Sequence, residues 1–181
     1  INEEPIKELL SPTIKIVREM KPFIDHGDYA MIIGDDASGR IPALALKDII
    51  DKAYKKSGND KIEARFLALY PTWNYLEAWQ NLTPAKKSEW DRPDDSSMEQ
   101  RIADATKKIK QEFTDKISNK IEAGKKILIV TDVISSGGSL RPLMASLKEA
   151  GLHFEIACMG MMGSAERLTE LGAENIFIGT T

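Results

Sequence analysis

The chain has 181 residues, of which 42% are hydrophobic and 29% charged; that is roughly one domain with a core large enough to need no disulfide staples, and it excludes wholesale disorder, a collagen-like repeat and a disulfide scaffold. Lys and Arg number 25 against 28 Asp and Glu, a net charge of −3, so there is no broad basic field and nucleic acid is not an expected partner. The longest uncharged stretch, Phe66 to Leu76, is far shorter than the ~18 apolar residues of a membrane-spanning helix, so no membrane is expected either and a cytoplasmic location is the natural reading.

In chain order, Pro5 and Pro12 suit helix starts and a helix is predicted over Thr13 to Met20. Tyr29 to Ile33 is short, apolar and rich in branched or aromatic residues, as a buried strand requires, and Ile41 to Tyr54 follows with helical spacing. Ile62 to Leu69 reads as a second strand. Met98 to Ile121 is the clearest helix, because Met98, Ile102, Ala105, Ile109, Phe113, Ile117 and Ile121 recur every three or four residues and share one face. Then come strand Ile127 to Val130, helix Leu140 to Ala150, strand Phe154 to Met159, helix Ala165 to Leu171 and strand Asn175 to Ile178. The single cysteine, Cys158, lies inside an apolar run and is expected to pack as a small hydrophobe.

Strand and helix thus alternate from residue 29 onward, which calls for right-handed crossovers and a parallel sheet covered on both faces. The predicted class is α/β, doubly wound, with about five parallel strands. Residues 1–28 form a separate helical segment before a core at 29–181. Ligands of such sheets bind beyond the carboxyl ends of the strands, so the loops of interest are Gly34 to Arg40, Tyr70 to Ser97, Asp132 to Ser139 and Gly160 to Ser164.

The most informative of these lies in Ile127-Leu-Ile-Val-Thr-Asp-Val-Ile-Ser-Ser-Gly-Gly-Ser-Leu140, a buried strand that meets an acidic residue and then a loop of small residues opening a helix. Ser135, Ser136, Gly137, Gly138 and Ser139 allow close backbone approach to a phosphate, and the helix adds the positive end of its dipole. Asp132, read as standing at the strand tip, is placed to accept hydrogen bonds from the hydroxyls of a phosphorylated ribose. The plain alternative is a turn that only joins strand to helix.

The fourteen residues together resemble the ribose-phosphate motif of the type I phosphoribosyltransferases: four apolar residues, two acids, two apolar residues and a Thr-Gly-rich loop. The resemblance implies a core that binds 5-phosphoribosyl 1-diphosphate with Mg2+, Asp132 on the ribose and Ser135 to Ser139 around the 5′-phosphate. It departs at the first acidic position, which here is Thr131. There a charge-assisted hydrogen bond of about 1.5–3 kcal/mol becomes a neutral one of about 1 kcal/mol.

Upstream, Met31-Ile-Ile-Gly-Asp-Asp-Ala-Ser-Gly-Arg-Ile-Pro-Ala43 is again strand, loop and helix and looks like the family's pyrophosphate loop. Ala37, Ser38 and Gly39 would supply backbone N–H groups, while Arg40 could neutralise two diphosphate oxygens bidentately and, with Asp132, take a direct part in the transfer. Asp35 and Asp36 would repel a diphosphate unless a divalent ion bridges them, so they either help hold Mg2+ or cap the following helix.

The 28 residues from Tyr70 to Ser97 fall where the family carries its mobile catalytic loop, and Tyr70, Trp73, Tyr75, Trp79 and Trp90 supply five of the chain's 12 aromatics. They could stack a base, or form a satellite core or a contact within a homodimer. Residues 1–28 stand where a hood over the base could come from. Two functions follow: a phosphoribosyltransferase of nucleotide salvage acting on a nitrogen nucleophile such as a nucleobase, or a non-catalytic binder of phosphoribosyl diphosphate or nucleotide on the same fold. The sequence holds no P-loop, no Gly-x-Gly-x-x-Gly fingerprint and no nucleophile elbow.

Overall fold

The computed structural model describes residues 4–35, 39–67, 95–134, 137–162 and 165–180. Helix α1 (Glu4–His26) leads into strand β1 (Tyr29–Asp35), helix α2 (Arg40–Ser57) and strand β2 (Glu63–Leu67). Helix α3 (Asp95–Ile109) continues through one wide turn (Lys110–Thr114) into the short helix α4 (Asp115–Ser118) and strand β3 (Lys126–Ile134). A 3-10 turn (Gly138–Leu140), helix α5 (Arg141–Glu149), strand β4 (Phe154–Met161), helix α6 (Glu166–Glu170) and strand β5 (Ile176–Thr180) are the last of the described elements.

All neighbouring strands pair in parallel, in the order β2-β1-β3-β4-β5. This is the doubly wound architecture that the alternation predicts. Side chains alternate across the sheet. Ile32, Leu128, Val130, Ala157, Met159 and Phe177 turn to one face under α1 and α2; Met31, Ile33, Ile127, Ile129, Phe154, Ile156 and Cys158 turn to the other, under α3, α4, α5 and α6. Cys158 is fully buried and its thiol is pushed up to about 11 by burial, so it packs rather than reacts, as expected. Among the described residues no helix is long and apolar enough to cross a membrane.

Several boundaries differ from the sequence reading. Helix α1 contains Pro12 and Pro22 instead of starting after Pro12. Pro12 packs against Gly179 of β5 so closely that a Cβ on that glycine would lie 2.4 Å from the proline ring. Packing thus sustains a helix that the lost backbone hydrogen bond disfavours. Ile16, Met20 and Ile24 of α1 are buried against the sheet. The long amphipathic helix is broken by the wide turn and ends at Ser118, although Ile109, Phe113, Ile117 and Ile121 do face the core. At that turn Thr114 is fully buried, and its hydroxyl meets that of Ser146 on α5 at 2.7 Å.

A polar clamp closes the amino ends of the strands. The fully buried carboxylate of Glu155 accepts hydrogen bonds from Tyr29 Oη at 2.5 Å, Lys126 Nζ at 2.7 Å and Asn175 Nδ2 at 2.7 Å. Lys126 also pairs with Glu174 at 2.9 Å and stands 5.0 Å above the Phe23 ring centre. A buried charge needs such partners, and these join β1, β3 and β4 to the start of β5.

Candidate functional site

The strand order fixes where a ligand can enter. The chain leaves β1 toward α2 on one face and leaves β3 toward α5 on the other, so the loops after these adjacent strands diverge and leave a crevice between them.

On the β1 side, Asp35 ends the strand and its carbonyl accepts a hydrogen bond from Gly39 N–H at 2.9 Å. Gly39 then opens α2, which has no side-chain cap and no acidic residue in its first turn, so the positive end of an 18-residue helix faces this loop. Glycine is required for space: a Cβ at Gly39 would lie 2.4 Å from the Val130 carbonyl oxygen and 2.8 Å from Asp35 N. The two loops therefore touch through backbone. Arg40, exposed at the first turn of α2, holds its guanidinium 4.7 Å from the ring centre of Phe66 on β2, a cation–π stack that fixes where the cation sits.

On the β3 side, the ladder does not stop at Val130 as expected but continues through Thr131, opposite Cys158, to Ile134, opposite Met161. Thr131 is only 4% exposed. Asp132 is thus two residues inside the strand end rather than at its tip; it is half-buried, and its Oδ1 accepts the Val133 N–H at 2.6 Å. That bond orients the carboxylate and leaves Oδ2 for another donor. Gly137 adopts φ +69, a left-handed conformation that calls for glycine, and a Cβ there would have to displace the Leu168 Cδ2 methyl, 2.6 Å away. Gly138 is buried and Ser139 exposed in the 3-10 turn that enters α5, whose first turn carries Pro142 and no acidic residue.

The Gly34–Val130 register and the approach of Gly39 to Val130 set Asp35 and Gly39 beside the β3 segment that runs through Thr131 and Asp132 toward Gly137, Gly138 and Ser139, while Arg40 lies over Phe66 of β2. Asp36, Ala37, Ser38, Ser135 and Ser136 lie outside the described residues, as does the aromatic segment from Tyr70 to residue 94. Among the described residues no three His, Cys, Asp or Glu side chains cluster to hold a metal ion unaided. His26 and His153 stand at the end of α1 and just before β4, where His153 pairs with Glu174 at 2.5 Å, at the other end of the sheet from the crevice.

No family model matches the sequence. The hypoxanthine/guanine phosphoribosyltransferase of Methanohalophilus mahii is 29% identical over an alignment covering 96% of this chain and 88% of that protein. The chain is thus a homologue, over nearly its whole length, of a protein named as a phosphoribosyltransferase. A crystal structure of the purine phosphoribosyltransferase from Pyrococcus horikoshii Ot3 matches with a TM-score of 0.47 and 14% identity, over 96% of this chain and 82% of that one.

In this phosphoribosyltransferase homologue, sequence reasoning missed three supports of the crevice. Phe66 seats Arg40, Leu168 packs beneath Gly137, and the Val130 carbonyl backs Gly39. Phe66 carried no signal beyond its strand. Leu168 gave a weak one, as an apolar residue midway along a short predicted helix.

Proposed function

We propose that the protein transfers the phosphoribosyl group of 5-phosphoribosyl 1-diphosphate to a nucleobase and releases diphosphate. The observation that carries this reading is the backbone contact between Gly39 and Val130, which sets two glycine-containing, strand-to-helix loops side by side at the β1/β3 crevice of a phosphoribosyltransferase homologue. The name of the Methanohalophilus relative favours a 6-oxopurine as the acceptor.

In this reading residues 29–181 are the transfer core. Residues 1–28 can contribute a hood only through the first turns of α1, since its later turns cover the sheet. The Asp132 carboxylate accepts hydrogen bonds from the ribose hydroxyls, held in orientation by the Val133 N–H. Backbone N–H groups from Ser135 to Ser139 take the 5′-phosphate, with Gly137 supplying the left-handed residue of the loop. The diphosphate lies along Ala37, Ser38 and Gly39 at the start of α2, with Arg40 alongside. The bond from C1′ to the diphosphate oxygen breaks with its electron pair leaving on oxygen, and a ring nitrogen of the base bonds to C1′ and gives up its proton. Positioning and fixed dipoles supply most of the acceleration.

Mg2+ fits this site as a substrate-borne ion. Free carboxylate capacity on Asp132, with Asp35 at the end of the neighbouring strand β1 and Asp36 next to it in the sequence, suits an ion that takes one or two protein oxygens and the rest from phosphate and water. Such an ion would neutralise charge on the departing diphosphate. Incubation with phosphoribosyl diphosphate, Mg2+ and a panel of hypoxanthine, guanine, adenine and uracil tests the reading by diphosphate release. Release with hypoxanthine or guanine is expected. Tight binding of phosphoribosyl diphosphate without release on any base would leave a binding protein, and no binding at millimolar concentration would overturn the reading entirely.

A further inference from the structure

We infer that the trough between α1 and α2 is a second ligand site, selective for a small amphiphilic anion and separate from the crevice at the strand carboxyl ends. Both helices lie on the same sheet face and run the same way. Helix α1 passes from Pro12 beside Gly179 to Phe23 beneath Lys126, and α2 from Gly39 beside Val130 to Tyr54 beside Tyr29. Between them lies a trough of about 610 Å³, lined by Val17, Ile24, Ile49 and Ala53 and rimmed chiefly by lysines. This volume and this apolar lining with few polar groups are those of small-molecule sites.

The charge of the rim selects the occupant. Lys21, Lys52 and Lys56 border the trough against a single carboxylate, Asp25. Lys21 pairs with Asp25 and Lys52 with Asp48, whereas Lys56 makes no ion pair among the described residues. An apolar tail laid along Val17, Ile49 and Ala53 would therefore place its head group toward Lys56, one helical turn beyond the Lys52–Asp48 pair. The rim also argues against a cationic or neutral tail of the same length, which would gain the same burial and lose the charge pairing.

Calorimetric titration of the full chain with decanoate is the test, with decyltrimethylammonium as the probe of equal tail and opposite charge, and with phosphatidylglycerol vesicles as the membrane arm. One saturable decanoate site is expected, weakened about tenfold or more by Lys56→Glu and lost in Ala53→Trp, while binding of phosphoribosyl diphosphate stays unchanged in both variants. Equal binding of the two detergents, decanoate binding untouched by Lys56→Glu and Ala53→Trp, or binding to vesicles alone would each overturn the assignment. Both substituted side chains are exposed or half-buried, and thermal melts of the variants confirm that they fold.

Discussion

The place that a side chain on Gly39 would occupy is held by the carbonyl oxygen of Val130, 2.4 Å from the ideal Cβ position. Because Gly39 opens α2 and Val130 lies in β3, this contact fixes the spacing of the two loops that flank the crevice. Overpacking at such a point costs about 1–3 kcal/mol, and neither neighbour is a flexible side chain that could yield. Gly39→Ala is expected to lower stability by that amount in urea denaturation and to weaken phosphoribosyl diphosphate binding in calorimetry. An alanine variant with unchanged stability and affinity would show that the loops are not held by this contact.

Asp132 and Asp35 separate the ribose role from the metal role. Asp132→Asn keeps the shape and removes the charge, so a charge-assisted bond becomes a neutral one, a loss of about 1–2 kcal/mol in ribose 5-phosphate binding without metal. Asp35→Asn should leave that binding unaltered. The reverse pattern would move the ribose to the β1 loop.

Thr131 is the sharper test, since its burial changes what an acid there would do. At 4% exposure beside Cys158, an Asp in its place would be desolvated, with its pKa raised. A raised acid favours folding only while protonated, so the Thr131→Asp variant should lose stability as pH rises from the unfolded carboxyl value through its folded one. Thermal melts between pH 4 and pH 8, roughly the span over which such a group titrates, should show a falling melting temperature relative to the parent. A variant as stable as the parent at neutral pH that binds phosphoribosyl diphosphate more tightly would instead mark Thr131 as a replaceable copy of an acidic ligand.

The clamp at the amino ends of the strands makes stability depend on pH in the opposite sense. Burial alone would raise the Glu174 carboxyl, but Lys126 and His153 outweigh it and hold the carboxyl below its usual range. A lowered carboxylate stabilises above its unfolded value and loses that contribution as pH falls through the folded one, so acid should melt the protein earlier. Lys126→Met should flatten this dependence and, by leaving buried Glu155 without its cation, destabilise the fold by about 3 kcal/mol. An unchanged acid profile in Lys126→Met would count against the clamp.

The alternation of apolar runs made the sheet legible, because strands buried on both faces read as continuous Val, Ile and Leu. Strand order was not legible from local pattern. The crevice between β1 and β3 follows from which face each crossover helix covers, and Ile41 to Tyr54 looks the same on either face. Local signals also failed where tertiary contacts outweighed them. Pro12 would ordinarily stop a helix, yet it seats against Gly179, and Thr131, whose polarity suggested a strand end, stays in the ladder beside Cys158. The importance of Gly39 was visible as a loop glycine, but its partner, the Val130 carbonyl, belongs to a strand 91 residues further along the sequence.

Cys158 is the sole cysteine of the chain, and burial both shields its sulfur and pushes its thiol up to about 11. Thiol reagents at neutral pH should therefore pass over the native protein. That silence makes the molecule a ready background for a reporter: a cysteine introduced at exposed Ser139 would be its single reactive thiol. A dye attached there would give a fluorescence signal from the loop itself, free of any second label.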